Sequence, residues 1–179
     1  MDVPVAEQAD LPAIVVMGVT GCGKSVVGSA IAGRLHANFI EGDRFHPPEN
    51  IGLMSRGTPL TDENRAGWLD LIGAELAKTV NSGHRVVAGC SALKRAYRDR
   101  LRVRNPGLIL VFLEIDPETA HIRVASRKGH FMPASLVGSQ FADLEPPTSD
   151  ENAITLDARK SVAELVAAAT GFIERRRVR

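Results

Sequence analysis

Cysteine is scarce in this chain, and so are long apolar runs and any excess of charge of one sign. Of the 179 residues only two are cysteines, Cys22 and Cys90. Two isolated thiols make neither a disulfide ladder nor the paired spacing of a structural metal site. They read as free thiols in a reducing compartment. The longest apolar runs, Ala13 to Met17 and Leu108 to Leu113, hold about six residues at most, against roughly 20 for a helix that crosses a membrane. Residues 1–12 carry Asp2, Glu7 and Asp10 but no basic start and no apolar stretch, so they are not a secretory signal. They read as a polar leader and a candidate for disorder. The expected location is cytoplasmic, with no membrane partner. Lys plus Arg number 22 and Asp plus Glu 21, a net charge of +1. Such a chain has no bulk field for nucleic acid, so an anionic ligand must be met by local cations. Internal repeats and low-complexity tracts are absent as well.

What is present is an ordinary globular composition, 44% hydrophobic and 24% charged. The length predicts one domain over residues 13–179, large enough to bury about 70% of its unfolded surface without staples. Ala13 to Met17 reads as a strand buried on both faces. Val26, Val27, Ala30, Ile31 and Leu35 then recur at helical spacing. Asn38 to Ile40 is a short second strand ending at Glu41-Gly42-Asp43. Pro47, Pro48, Gly52, Gly57 and Pro59 break up the next stretch. Thr61 followed by Asp62 and Glu63 starts a helix that runs to about Asn81. Arg85 to Cys90 and Leu108 to Leu113 are further strands, flanking a basic helix over about Leu93 to Arg104. Pro117 opens a helix to about Arg127. Residues 128–150 carry no long periodic run and read as a mobile insertion. Ala153 to Leu156 is a last strand, and Ser161 with Glu164 a capping box for a final helix. Alternating strands and helices predict an α/β sandwich around a parallel sheet.

Gly18-Val19-Thr20-Gly21-Cys22-Gly23-Lys24-Ser25 matches the phosphate-loop pattern in full. Glycines let backbone N–H groups approach phosphate oxygens. Lys24 would reach the β- and γ-phosphates, and the Ser25 hydroxyl would ligate Mg²⁺. The helix that follows points its positive end at the phosphates. Kinase, switch and motor remain to be separated. The N-K-x-D segment of guanine-type switches does not occur. Asp70 to Gly73 fits D-x-x-G only inside a helix. A motor-type acid after an apolar strand fits Glu114 only loosely. The chain instead carries Glu41, Asp43, Arg44 and His46 after its second strand, at the crevice end of a parallel sheet. There Asp43 could accept the proton of an attacking hydroxyl, and His46 could bond a substrate. Lys94 and Arg98, four apart, share a helix side and suit an anionic substrate. Arg127, and second Arg123, sit at the edge of the insertion and could meet phosphoryl charge.

Together these segments resemble the gluconokinases of the shikimate-kinase-like group. The resemblance is carried by Met17 to Ser25, Glu41-Gly42-Asp43 with His46-Pro47, Pro59 to Asp62 with Arg65 and Trp68, Cys90 to Lys94 with Tyr97-Arg98, and Arg127 to Phe131. It implies a P-loop fold of nucleoside-monophosphate-kinase type, with three layers, a five-stranded parallel sheet and a lid over about 128–150. It implies phosphorylation of the 6-hydroxyl of D-gluconate by ATP with Mg²⁺, in the pentose phosphate or Entner–Doudoroff routes, by a homodimer. In that reading Lys24, Asp43 and Arg127 are catalytic. Gly18 to Val26 hold the nucleotide, Arg123 approaches adenine, and Ala158 to Lys160 complete its pocket. Asp43, His46, Arg56, Lys94, Arg98 and His130 face gluconate. Glu41 stands where related kinases often have aspartate.

Overall fold

The computed structural model describes residues 12–129 and 133–176. His130, the leader up to residue 11 and the last three residues therefore lie outside the described part. The strands are β1 (Ile14–Met17), β2 (Asn38–Glu41), β3 (Val86–Gly89), β4 (Ile109–Glu114) and β5 (Ala153–Asp157). They form one five-stranded parallel sheet in the order β2-β3-β1-β4-β5. Every residue of β1 and β3 is buried, as the unbroken apolar runs require for central strands covered on both faces.

The helices are α1 (Lys24–Leu35), α2 (Pro48–Ser55), α3 (Asp62–Asn81), α4 (Arg95–Arg104), α5 (Pro117–Ala125), α6 (Val137–Asp143) and α7 (Val162–Arg175). Helix α1 packs against α7, and α3 against α4 and β3. Local chemistry sets their starts. Thr61 accepts from Asn64 N–H while the Asn64 side chain returns to Thr61 N–H, a reciprocal cap on α3. Ser161 and Glu164 do the same for α7, and Asp116 caps α5. The apolar face of α3, with Trp68, Leu69, Ile72 and Leu76, enters the core.

Two stretches expected to be irregular hold helices. Pro47 and Pro48 do not prevent α2, because they occupy its cap and first position, where no intrahelical N–H bond is lost. The 128–150 stretch contains a 3-10 turn, Ala134–Leu136, and α6. The basic helix starts two residues later than about Leu93, with Lys94 as its extended N-cap at φ −93° and ψ 150°. Helix α5 stops at Ala125, before Arg127.

Candidate active site

The carboxyl ends of β1, β2 and β3 open into a cleft, where ligands bind in open parallel sheets. Its floor is the phosphate loop. Gly18, Gly21 and Gly23 have φ of 142°, 85° and 98°. A Cβ at Gly18 would lie 2.8 Å from Cys22 Sγ and from Leu113 O, and one at Gly21 2.8 Å from Ala120 O. These glycines are therefore needed for backbone conformation and for close packing against β4 and α5. Gly23 ends the loop and α1 begins at Lys24. Lys24 Nζ donates to Gly18 O and Val19 O, each at 3.0 Å. Cys22 is buried in the turn. Val26 is 60% exposed in the first turn of α1.

The loop meets β2 through side chains. The Ser25 hydroxyl donates to the Glu41 carboxylate. A hydroxyl and a carboxylate are hard oxygen donors of the kind Mg²⁺ takes, so these two residues fit that ion. Asp43 follows in the 3-10 turn Gly42–Phe45 and lines the same cleft as Lys24 and Ser25. The turn is fixed from α3, where Trp68 Nε1 donates to Gly42 O at 2.8 Å.

His46 stacks on Trp68 with ring centroids 4.1 Å apart. Burial lowers its pKa to about 4, against the pull of Asp43 and aided by the Arg65 charge. The ring is therefore neutral near pH 7. Asn50 Nδ2 donates to Asn64 O and lies 3.3 Å from His46 Nδ1. The Asn64 carbonyl can only accept, which fixes that nitrogen as the donor. Nδ1 then accepts, and Nε2 carries the proton.

Arg65, Trp68, Ser91 and Gln140 also line the cleft, and none was singled out as a site residue from the sequence. Arg65 had a usable signal, a cation on the same helical stripe as Trp68, Leu69 and Ile72. It is 7% exposed. Its Nη1 donates to Tyr97 Oη at 2.7 Å and to Asp143 Oδ2 at 2.8 Å. Among the described residues nothing pairs its Nε and Nη2 edge. That edge is the planar fork that matches a carboxylate.

The structure corrects the expectation for Arg98. It is fully buried. Nε and Nη2 form a bidentate pair with Glu151 at 2.7 Å each, and Nη1 donates to the carbonyls of Ala92, Leu93 and Glu145 at 3.0, 3.1 and 3.0 Å. Burial pushes the Glu151 carboxyl up, but hydrogen bonds from Arg98 and Arg102 outweigh it and bring the pKa down to about 2. Arg98 is thus an internal clamp, buried out of reach of substrate. Lys94 does not share its side, because it precedes the helix. Its Nζ pairs with Asp62 at 2.9 Å and lies 3.7 Å from Asp143. Arg56 is exposed at the end of α2 and folds back over Gly52. Arg127 does reach the cleft wall. Arg123 Nη2 donates to Ala158 O at 3.2 Å, beside the segment expected to complete an adenine pocket.

Comparison with known proteins agrees with this fold. The family model described as shikimate kinase matches residues 20–169. The chain is 48% identical over 149 residues to a gluconokinase of Gluconobacter oxydans, covering 82% of this chain and 83% of that protein. It is 41% identical over 152 residues to the thermosensitive gluconokinase of Escherichia coli, covering 84% and 81%. The solved structure of a gluconokinase from Sinorhizobium meliloti superposes with a TM-score of 0.82 at 48% identity, over 92% of each chain. An APS kinase from Mycobacterium tuberculosis, at 15% identity and a TM-score of 0.68, shares the fold alone. The chain belongs to the shikimate kinase family and, within it, to the gluconokinases.

Proposed function

We propose that this protein transfers the γ-phosphoryl group of ATP to the 6-hydroxyl of D-gluconate, giving 6-phosphogluconate and ADP. The observation that carries the reading is one cleft that holds a complete phosphate loop, a carboxylate beside it and a buried cation at its far wall: Lys24, Asp43 and Arg65. In this reading the phosphate loop binds the nucleotide, with Arg123 and Ala158 to Lys160 toward adenine. The free edge of Arg65 takes the gluconate carboxylate in place of Arg98. The Nε2–H of His46 bonds a hydroxyl of the polyol. Asp43 accepts the proton of the 6-hydroxyl as its oxygen bonds to phosphorus, and the bond to the bridging β-phosphate oxygen breaks. Lys24 and Arg127 meet the charge on the transferred group; phosphoryl transfer is governed by such positioning and charge neutralisation. Ser25 and Glu41 would hold Mg²⁺, which would supply positive charge against the phosphates of the nucleotide. The 128–150 segment serves as a lid.

The same reading extends to a cytoplasmic homodimer acting in the pentose phosphate route. No helix among the described residues is long and apolar enough to cross a membrane. The assay is ADP release from Mg·ATP against a panel of acceptors. Strong stimulation by gluconate, and little by shikimate or RNA, is expected. Hydrolysis indifferent to gluconate contradicts the reading.

A further inference from the structure

Helix α6 touches both halves of the cleft through two side chains one turn apart. Gln140 Oε1 accepts the backbone N–H of Thr20, inside the phosphate loop, at 2.7 Å. Gln140 and Thr20 are both buried. Three residues on, Asp143 Oδ2 accepts from Arg65 Nη1 at 2.8 Å, and Asp143 Oδ1 lies 3.7 Å from Lys94 Nζ. Residues three apart lie on one helix face. A single short helix therefore holds an amide of the nucleotide loop with one side chain and a cation of the acceptor wall with the next.

The end of α6 is itself pinned. Glu145 N–H donates to Leu93 O at 2.9 Å, and Arg98 Nη1 donates to Glu145 O at 3.0 Å. Both contacts therefore belong to one short helix anchored just beyond its C-terminal end. Arg65 has the matching division. Asp143 and Tyr97 take its Nη1, while among the described residues nothing pairs Nε and Nη2.

We propose that Gln140 and Asp143 are positioning residues that couple acceptor binding to nucleotide binding. The inference rests on the gluconate reading above. A carboxylate seated on the free edge of Arg65 fixes the guanidinium plane. That sets Asp143, and through α6 it sets the Gln140 contact with the phosphate loop. Binding free energies are reciprocal, so nucleotide strengthens gluconate binding by the same factor.

The test is calorimetric titration of the full chain with Mg²⁺ and a non-hydrolysable ATP analogue, without and with saturating D-gluconate, and of D-gluconate alone. In the wild type gluconate tightens analogue binding by roughly fivefold or more. Asp143→Asn and Gln140→Met, both close in shape to the originals, each bring that ratio to about one. Asp143→Glu retains part of it. A purely structural role would change stability and leave the ratio alone. A wild-type ratio of one, or a wild-type ratio kept in both variants while gluconate still binds, overturns the inference. Failure of gluconate to bind the wild type at all overturns the substrate reading with it.

Discussion

The Ser25 hydroxyl donates to the Glu41 carboxylate, tying the first turn of α1 to the last residue of β2. The oxygens proposed for Mg²⁺ are thus organised by two neighbouring elements of the sheet's carboxyl edge. Glu41→Gln keeps the shape and removes the charge. It should raise the Mg²⁺ concentration needed for half-maximal rate by about 10-fold to 100-fold, with the acceptor KM little changed. A Mg²⁺ titration of initial rate at saturating ATP checks this; an unchanged midpoint would separate Glu41 from the metal.

Asp43 lines the cleft beside Lys24 and Ser25. Asp43→Asn should leave nucleotide binding close to wild type and cut turnover by roughly 10²-fold or more. The pair of measurements is analogue affinity and kcat. An unimpaired kcat would remove Asp43 from the proton-accepting role.

Two buried arginines should respond oppositely to replacement. Arg65→Met should raise the gluconate KM by about 10-fold to 100-fold, the loss expected for a hydrogen bond to a charged group, with nucleotide affinity in the absence of gluconate nearly constant. Arg98→Met leaves the Glu151 carboxylate buried against fewer partners. It should cost about 3–5 kcal/mol of stability, while the folded fraction keeps its gluconate KM. Denaturation midpoints and steady-state kinetics of the two variants distinguish them.

These arginines also show what was legible in the sequence. The phosphate loop was, because its eight residues Gly18 to Ser25 are contiguous and its glycines have a backbone reason to be there. The strand and helix alternation was too, since β1, β3 and β4 are unbroken apolar runs and α3 and α7 carry their caps in local sequence. Arg98 was not. Its partners Glu145 and Glu151 lie some 50 residues downstream, and no local pattern reports a pairing of that range. The four-residue spacing from Lys94 also misled, because Lys94 caps the helix rather than belonging to it. Arg65 was legible in principle as a cation inside an apolar stripe. Helix α2 was hidden by prolines whose positions suit a helix start. The α6 contacts of Gln140 and Asp143 depend on tertiary packing and have no signal in spacing.

His46 and Glu151 give stability a defined acid dependence. Burial lowers the His46 pKa from 6.5 to about 4, so the folded protein resists protonation that the unfolded chain accepts. The neutral-ring contribution is complete above pH 6.5 and is lost as pH falls towards 4. Glu151 is lowered from 4.5 to about 2, so its contribution holds above pH 4.5 and is lost below it. The thermal midpoint should therefore fall in two stages on acidification. His46→Gln should flatten the upper stage and leave the lower one. A wild-type midpoint constant from pH 6.5 to 4 would contradict the assignment.

The most direct measurement is the identity of the product. Purified protein incubated with Mg·ATP and D-gluconate, followed by phosphorus and carbon NMR, should yield ADP and one new phosphate monoester in equal amounts, with phosphorus coupled to carbon 6 of gluconate. Free inorganic phosphate as the sole new phosphorus species besides ADP, or a monoester on another carbon, would contradict the account.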